Sequence, residues 1–559
     1  MLARHLRAEE PSLFPSGPWD DVPDAELPTP PLREGLGRAS LKVSTRVPLA
    51  QAYFDQGLRL LHLGWGTEAR RSFAEAARQD PELAMAYWGL ALTRGPGARY
   101  AADRAETIAR ALALSEGATD AEQRYIVAAT FLADKGPANG RHGFVREMEA
   151  LIERFPEDAE ARLLLAGFLS DGYEADGRPA AGQPYAQALL RELLRTHPHH
   201  EGVHYAWAQV MVDSARPEAA LESARRLRLL APRVGTALLG AGRLLLRTGH
   251  LREAREVLEA AVATEDAWRA QESLPETGAP VAGLALRLLT LACAEAGRYG
   301  EAQSWARRLR SRVESVTPHA TQGLVFAAST LSSLHVRFGF WLAAADARVD
   351  LGDEGSPAER GLLSGMEVYA RGLRALEAGK LAEAERACDE LDALHPPLSE
   401  ERKAEGRTLC PRDVARVVEL AACELRGALE SRQGDTARAE ATLIKAGRLE
   451  RRLRAAGPMP FSRAARETLA RARLRSGRED KAVELAEALV KERPGSGHAR
   501  FLLAEVHVAR GAFTEAAQAF ASFLECWSEA DPHLPELRRA RIFLGSNAGQ
   551  PRVVESASC

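Results

Sequence analysis

A chain of 559 residues is too long for one ordinary globular core, so it holds either several domains or a repeat array that extends one core lengthwise. Its 74 Lys and Arg against 77 Asp and Glu leave a formal net charge of −3, a balance too even to draw in nucleic acid or an anionic membrane as a default partner. Most of the basic charge is Arg, and Ala and Leu are abundant; this composition suits well-formed helices and hints at a GC-rich bacterial genome.

The opening segment, EEPSLFPSGPWDDVPDAELPTPPLREGLG, is dense in Pro, Gly and acidic residues. It cannot by itself bury enough apolar surface to offset its ordering entropy, so residues 1–40 are predicted to be a disordered N-terminal arm. Phe14 and Trp19 are its candidate anchors, against the first helices or a partner.

From Ala50 to Leu92 the apolar residues take the register of a helical hairpin. Gly57 stands where two helices approach closely, Ala69 and Ala76 at interlocking small positions, Phe73 as a core plug and Pro81 as a stop. The interval from Gly57 to Ala69 returns at Gly242 to Ala254, Gly372 to Ala384 and Gly427 to Ala439. The closing half, a small residue followed at fixed distance by Pro, recurs at Ala220 with Pro232, Ala384 with Pro396 and Ala482 with Pro494; Ala516 and Phe520 mark one more hairpin. A single hairpin leaves one apolar flank open, so only stacking of neighbours closes such a core. These signals predict an all-α fold, a right-handed superhelical α-solenoid with one helical array over 41–394 and a second over 414–545. Residues 93–103 and 171–185 read as projecting loops, 395–413 as a loop or hinge, and 546–559 as a disordered tail.

The six cysteines, Cys293, Cys388, Cys410, Cys423, Cys526 and Cys559, form no CxxC pair, which argues against a disulfide framework and for a reducing compartment. Met1 to Gly35 lacks the apolar run of a signal peptide and no stretch is long enough to span a bilayer, so a cytoplasmic location is expected.

One stretch carries a chemical motif. HEGVH, from His200 to His204, matches the two-histidine, one-glutamate pattern of zinc peptidases. On a helix His200 and His204 would share a face, Glu201 could polarise a water, and Glu218 or Glu222 could supply a third ligand. Against it, Pro198 puts the motif at a helix start and Gly202 weakens that helix by about 1 kcal/mol relative to Ala, which favours plain polar or capping histidines. The Arg-rich strings at 225–233, 307–312 and 451–463 have Leu at helical spacing and acidic neighbours, the pattern of solvated, ion-paired helix faces. There is no phosphate-binding loop, nucleophile elbow or dinucleotide fingerprint.

Several segments taken together resemble a bacterial family of multi-repeat tetratricopeptide proteins, largely without assigned function. They are LKVSTRVPLAQAYFDQGLRLL (41–61), DPELAMAYWGLAL, RGPG, DGRP (176–179), HHEGVHY (199–205), MEVYARGLRALEAGKLAEAE, FSRAARETLA and PGSGHARFLLAEVHVARG. Members of that family often carry several histidines on the helices after the one similar to His204, and Asn residues in the loop after YWGLAL. Here Ala208, Thr236, Leu239 and Arg243 stand at the former positions and GPGARY in the latter, so a metal or cofactor site carried by relatives is not expected in this chain.

The resulting expectation is a noncatalytic scaffold, not an enzyme, that binds a peptide or protein partner in the concave groove of its repeat array. No catalytic, cofactor-binding or metal residue is assigned, and neither nucleic acid nor membrane is an expected partner. Tyr87, Trp88, Tyr205, Trp207 and Trp305 are candidate anchors, although aromatics at helical spacing more often belong to a core. The alternatives are a metal-binding or zinc-hydrolase role for His200, Glu201 and His204, and a ligand-sensing repeat protein that signals through the N-terminal arm.

Overall fold

A computed structural model describes residues 19, 22–94, 101–174, 177–274, 280–314, 321–351, 355–400, 411–453, 461 and 463–547. Phe14, Asp176, Cys410, Cys559, most of the sequences between 93 and 103 and between 395 and 413, the tail after 547 and much of the third Arg-rich string lie outside them. The described residues are almost wholly helical, with one isolated antiparallel bridge between Tyr173 and Pro179.

The chain forms two compact units, Met1–Thr248 with Arg252–Leu288, and Gly249–Leu251 with Leu289–Cys559. The first contains α1 (Pro48–His62), α2 (Gly66–Gln79), α3 (Ala84–Thr93), α4 (Ala101–Leu114), α5 (Asp120–Arg154), α6 (Ala159–Leu169), α7 (Gln183–Thr196), α8 (Glu201–Met211), α9 (Leu221–Leu230), α10 (Gly235–Arg247) and most of α11 (Leu251–Gln271). After α12 (Pro280–Glu295), which spans the division, the second holds α13 (Tyr299–Glu314), α14 (Thr321–Arg337), α15 (Trp341–Ala345), α16 (Pro357–Glu377), α17 (Leu381–Glu400) and α18 (Pro411–Gln433). It continues with α19 (Thr436–Leu453), α20 (Ala465–Arg475), α21 (Glu479–Glu492), α22 (Gly497–Ala509), α23 (Phe513–Cys526) and α24 (Pro535–Asn547).

Consecutive helices pack as hairpins, and alternate helices such as α1 with α3, α16 with α18 and α20 with α22 also touch. That is how each hairpin closes the flank its neighbour leaves open. Tight turns join the partners. Gly64 follows the C-cap residue Leu63 with φ +74°, a left-handed conformation that ends α1 and reverses the chain within three residues; Gly379, Gly477 and Gly511 do the same after α16, α20 and α22.

The spacing read from the sequence is a plug-and-socket contact. Phe73 is fully buried, and a Cβ on Gly57 or Gly89 would stand 2.8 or 2.5 Å from its Cδ1. Leu258 fills the same role opposite Gly242, and Leu443 opposite Gly427, each 2.5 Å from where a Cβ would be. Ala69, Ala76, Ala254, Ala384 and Ala439 are buried, as close helix approach requires.

Two boundaries differ from expectation. The predicted hinge over 395–413 gives way to helix at both ends: α17 runs to Glu400 through Pro396 and Pro397, and α18 begins at Pro411. Leu391 and Leu398 of α17 share one buried cluster with Val414 and Val418 of α18, so the core continues where the sequence suggested a break. Burial of these leucines offsets the cost of proline inside a helix, about 3 kcal/mol. The actual division lies near residue 288. The predicted arm is the second difference. From Val22 onward it is a packed strap, described below.

Candidate functional site

In the first unit, residues 22–47 run between the repeat helices without regular structure, apart from a 3-10 turn at Asp24–Glu26. Isolated, this segment has too little apolar surface to order itself. It is ordered because polar side chains of distant helices take up its main-chain groups, as every buried N–H and C=O requires.

The inner half is read chiefly by acceptors. Arg33 N donates to Gln56 Oε1 at 2.8 Å, Leu41 N to Asp55 Oδ1 at 3.2 Å, Val43 N to Gln51 Oε1 at 3.1 Å and Ser44 N to Glu122 Oε1 at 2.7 Å. At its centre Arg38 N and Ala39 N donate to the two oxygens of Glu201, each at 2.9 Å. Glu201 is completely buried. Gly37 permits this approach, because with φ +102° it sits where a Cβ would come within 2.0 Å of Glu201 Cδ. The apolar side chains of Leu36, Ala39 and Val43 are buried alongside.

Donors on and beside α2 read the outer half. Arg70 donates to the carbonyls of Trp19 and Val22 at 2.9 and 2.6 Å, Arg71 to that of Pro28 at 3.0 Å and Arg78 to that of Leu27 at 2.8 Å. Arg70 and Arg94 both pair with Asp24, at 2.7 and 2.5 Å. The Arg71 guanidinium lies 4.5 Å from the Trp19 ring centre, and Trp19 packs 6.1 Å from Trp268, which in turn meets Trp65 at 5.4 Å.

Directly beside Glu201 lies a buried His–Glu–His cluster contributed by three elements. Glu160, in the first turn of α6, has Oε1 2.9 Å from His200 Nε2, while Oε2 stands 2.5 Å from His62 Nε2 as an ion-pair contact without hydrogen-bond alignment. Burial alone would raise the Glu160 carboxyl; the histidines, His62 foremost, override it and hold the group well below the ordinary carboxylate range. Burial likewise depresses the His200 imidazole, and Glu160 more than restores it, leaving its pKa raised. Gly202 makes room for the cluster, since a Cβ there would lie 2.8 Å from His62 Cβ and 3.0 Å from Leu163 Cδ2.

HEGVH therefore does not assemble as a metal motif. His200 precedes α8 and turns to Glu160, Glu201 is spent on the strap, and His204 bonds Ser223 Oγ through Nδ1 and the Pro198 carbonyl through Nε2, both at 2.9 Å. Burial lowers the His204 pKa. Glu222 is exposed and pairs with Arg226, and Glu218 is exposed. Among the described residues no three His, Cys, Asp or Glu side chains are grouped so as to hold a metal ion. Three suitable side chains in one pentapeptide thus point to three separate partners.

Most aromatic candidates belong to the core. Trp88, Tyr205 and Trp207 are buried, Trp207 Nε1 donating to the Ala219 carbonyl at 3.1 Å; Tyr87 and Trp305 are half-buried. Within the first two Arg-rich strings, Arg225 pairs with Glu253 at 2.8 Å, Arg228 with Glu256 at 3.1 Å and Arg310 with Glu314 at 2.6 Å.

The second unit has buried charge networks that the sequence did not reveal. Arg337 at the end of α14 donates to both oxygens of Glu467 at 2.9 Å and pairs with Glu295 at 3.3 Å; Arg493 joins Glu467 to Glu450. Burial opposes ionisation of Glu467, yet Arg337 and Arg493 push its pKa down to about 2. Beyond it, fully buried Glu424 accepts from Tyr369, Thr468 and Arg463. These groups join helices far apart in sequence, a structural role, and none is arranged around a reacting position.

The family model described as Tetratricopeptide repeat matches residues 205–272, 425–496 and 467–535, segments in both units. No curated protein matches the chain. Solved structures similar to it include yeast Tom70, at 12% identity and a TM-score of 0.31 over 90% of this chain and 96% of that one. Others are a human IFIT1 dimer with m7Gppp-AAAA, at 15%, 0.31, 87% and 91%, and the APC/C hetero-tetramer Cut9–Hcn1, at 12%, 0.28, 89% and 76%. Likeness at this level speaks for neither a shared partner nor a shared ligand. No helix among the described residues is long and apolar enough to cross a membrane. With repeat matches in both units and the same glycine-and-plug contact at Gly57, Gly242 and Gly427, the chain carries tetratricopeptide repeats in each unit.

Proposed function

We propose that the protein is a noncatalytic scaffold whose repeat surface binds an extended segment of a protein partner. One observation carries this reading. The first unit already holds an extended polypeptide, its own strap, by side chains from α1, α2, α5 and α8 that bond main-chain N–H and C=O groups. Recognition of this kind takes affinity from the backbone and specificity from a few anchors. A polypeptide is favoured over nucleic acid because the formal charge of the chain is close to balanced and Arg225, Arg228 and Arg310 of the Arg-rich strings pair with glutamates. A hydrolase is disfavoured because Glu201, the residue that would activate water, is fully buried beneath Gly37.

Native mass spectrometry of the protein purified gently from its own host tests this. A stoichiometric added polypeptide is the expected result. A bare chain, or one that carries only a metal ion or a small molecule, overturns the reading.

A further inference from the structure

The two halves of the strap are held differently. The inner half hangs on buried carboxylates, Glu201 and Glu122, and on Gln56, and it threads between α1, α5 and α8. Over the outer half, Pro23, Ala25, Glu26, Pro28 and Thr29 face water, and among the described residues only Trp19, Leu27 and Pro30 are buried. Arginines of α2, with Arg94, read carbonyl oxygens and, among the described residues, one carboxylate, that of Asp24, while Glu75 accepts from the Thr29 hydroxyl.

Those contacts make few demands on sequence. Carbonyls are common to every extended peptide, so beyond a seat for an apolar side chain at Leu27 and an acceptor, Glu75, for the Thr29 hydroxyl, the surface selects an acidic residue between Arg70 and Arg94 and a large aromatic ring beneath Arg71. The occupant matches by charge, since WDDVPDAELPT (19–29) carries Asp20, Asp21, Asp24 and Glu26 and no basic residue.

We propose that the α2 face holding Trp19–Thr29 is a docking surface for an acidic, extended segment of another protein that bears an aromatic anchor, and that the chain's own segment is its resident occupant. This rests on the scaffold reading and names the partner's chemistry. The inner strap stays in place while the outer strap exchanges. Because the resident segment is tethered, it competes at high effective concentration, and a partner binds only when its anchors are better or its own local concentration is high.

The test uses the full chain and a fluorescent synthetic peptide of residues 19–29, followed by anisotropy. A Trp19→Ala, Asp24→Ala chain has lost both resident anchors and is expected to bind the peptide about tenfold to a hundredfold more tightly than the wild type. Adding Arg70→Ala to that chain, or Asp24→Lys to the peptide, removes the gain. An Asp24→Lys chain, which keeps Trp19 on Trp268, provides the same comparison if loss of the indole disturbs folding. No gain in either chain, or a gain indifferent to Arg70, overturns the proposal. A polypeptide retained in native mass spectrometry together with no gain overturns this inference alone and leaves the scaffold reading standing.

Discussion

Replacing Gly37 by Ala perturbs the strap at its best-defined point. The new Cβ would lie 2.0 Å from Glu201 Cδ and 2.3 Å from Oε1, and the backbone there has φ +102°. Strain at such a φ costs on the order of 1 kcal/mol or more. The carboxylate cannot step aside without losing the Arg38 and Ala39 N–H donors, each worth roughly 1.5 to 3 kcal/mol to a charged acceptor. Together these give about 4 to 7 kcal/mol, enough to unseat the strap locally rather than distort it. The chain has two units and no single unfolding free energy, so the suitable assay is residue-resolved amide hydrogen exchange. Protection at Arg38 and Ala39 should collapse in Gly37→Ala, while amides of α20–α22 in the second unit keep theirs. Glu201→Gln should reproduce the loss in part, because an amide offers one acceptor and turns a donor towards a donor. Wild-type protection at Arg38 and Ala39 in Gly37→Ala would refute the reasoning.

Other outcomes follow from the same contacts. Because the folded His200 pKa is raised above its ordinary 6.5, the imidazole's contribution is complete below that value and is lost as pH rises through the folded pKa; Glu160, depressed from 4.5, contributes above that value and loses its contribution only as pH falls through its folded pKa. Protection at the α1–α6–α8 seam should therefore be greatest between 4.5 and 6.5 and decline in alkali, and His200→Asn should flatten the alkaline limb; an unchanged limb in that variant counts against the assignment. Gly202→Ala should destabilise the α8 region by roughly 1 to 3 kcal/mol through overpacking against His62, despite better helix propensity, as read by amide hydrogen exchange along α8. Glu424→Gln leaves Arg463 facing a neutral amide, and a loss of about 3 to 5 kcal/mol is expected in amide-exchange protection across α16, α18 and α20; less than about 1 kcal/mol would mean that the network is dispensable.

The repeat register was legible because it is local. Gly57 and Phe73 lie on adjacent helices of one hairpin, and a sequence window of that size contains both halves of the contact. Leu258 and Leu443 show why the plug is harder to recognise elsewhere, since a different side chain fills the same socket. The strap was not legible. Its composition predicts disorder when the segment is asked to bury its own surface, and nothing near it in sequence announces that Glu122 and Glu201 will accept its N–H groups. Gly35 and Gly37, both at positive φ, were the available signal, but a lone pair of glycines in a Pro-rich stretch says only that the chain bends. HEGVH misled for the converse reason. Spacing shows which side chains share a helix face, whereas Glu160 and Ser223 decide where the imidazoles point.

The strap also sets a schedule for biosynthesis. Arg33 bonds Gln271 and Glu272, and Trp19 rests on Trp268, so these two side chains acquire their most distant partners only after about 240 to 250 more residues have been made, well after α1 and α2 have supplied the nearer ones. At 5 to 20 residues per second that is a wait of roughly 10 to 50 s, during which the Trp19 indole lacks the Trp268 ring it rests on. For that interval the nascent chain presents an acidic segment with a half-seated indole to whatever binds such sequences.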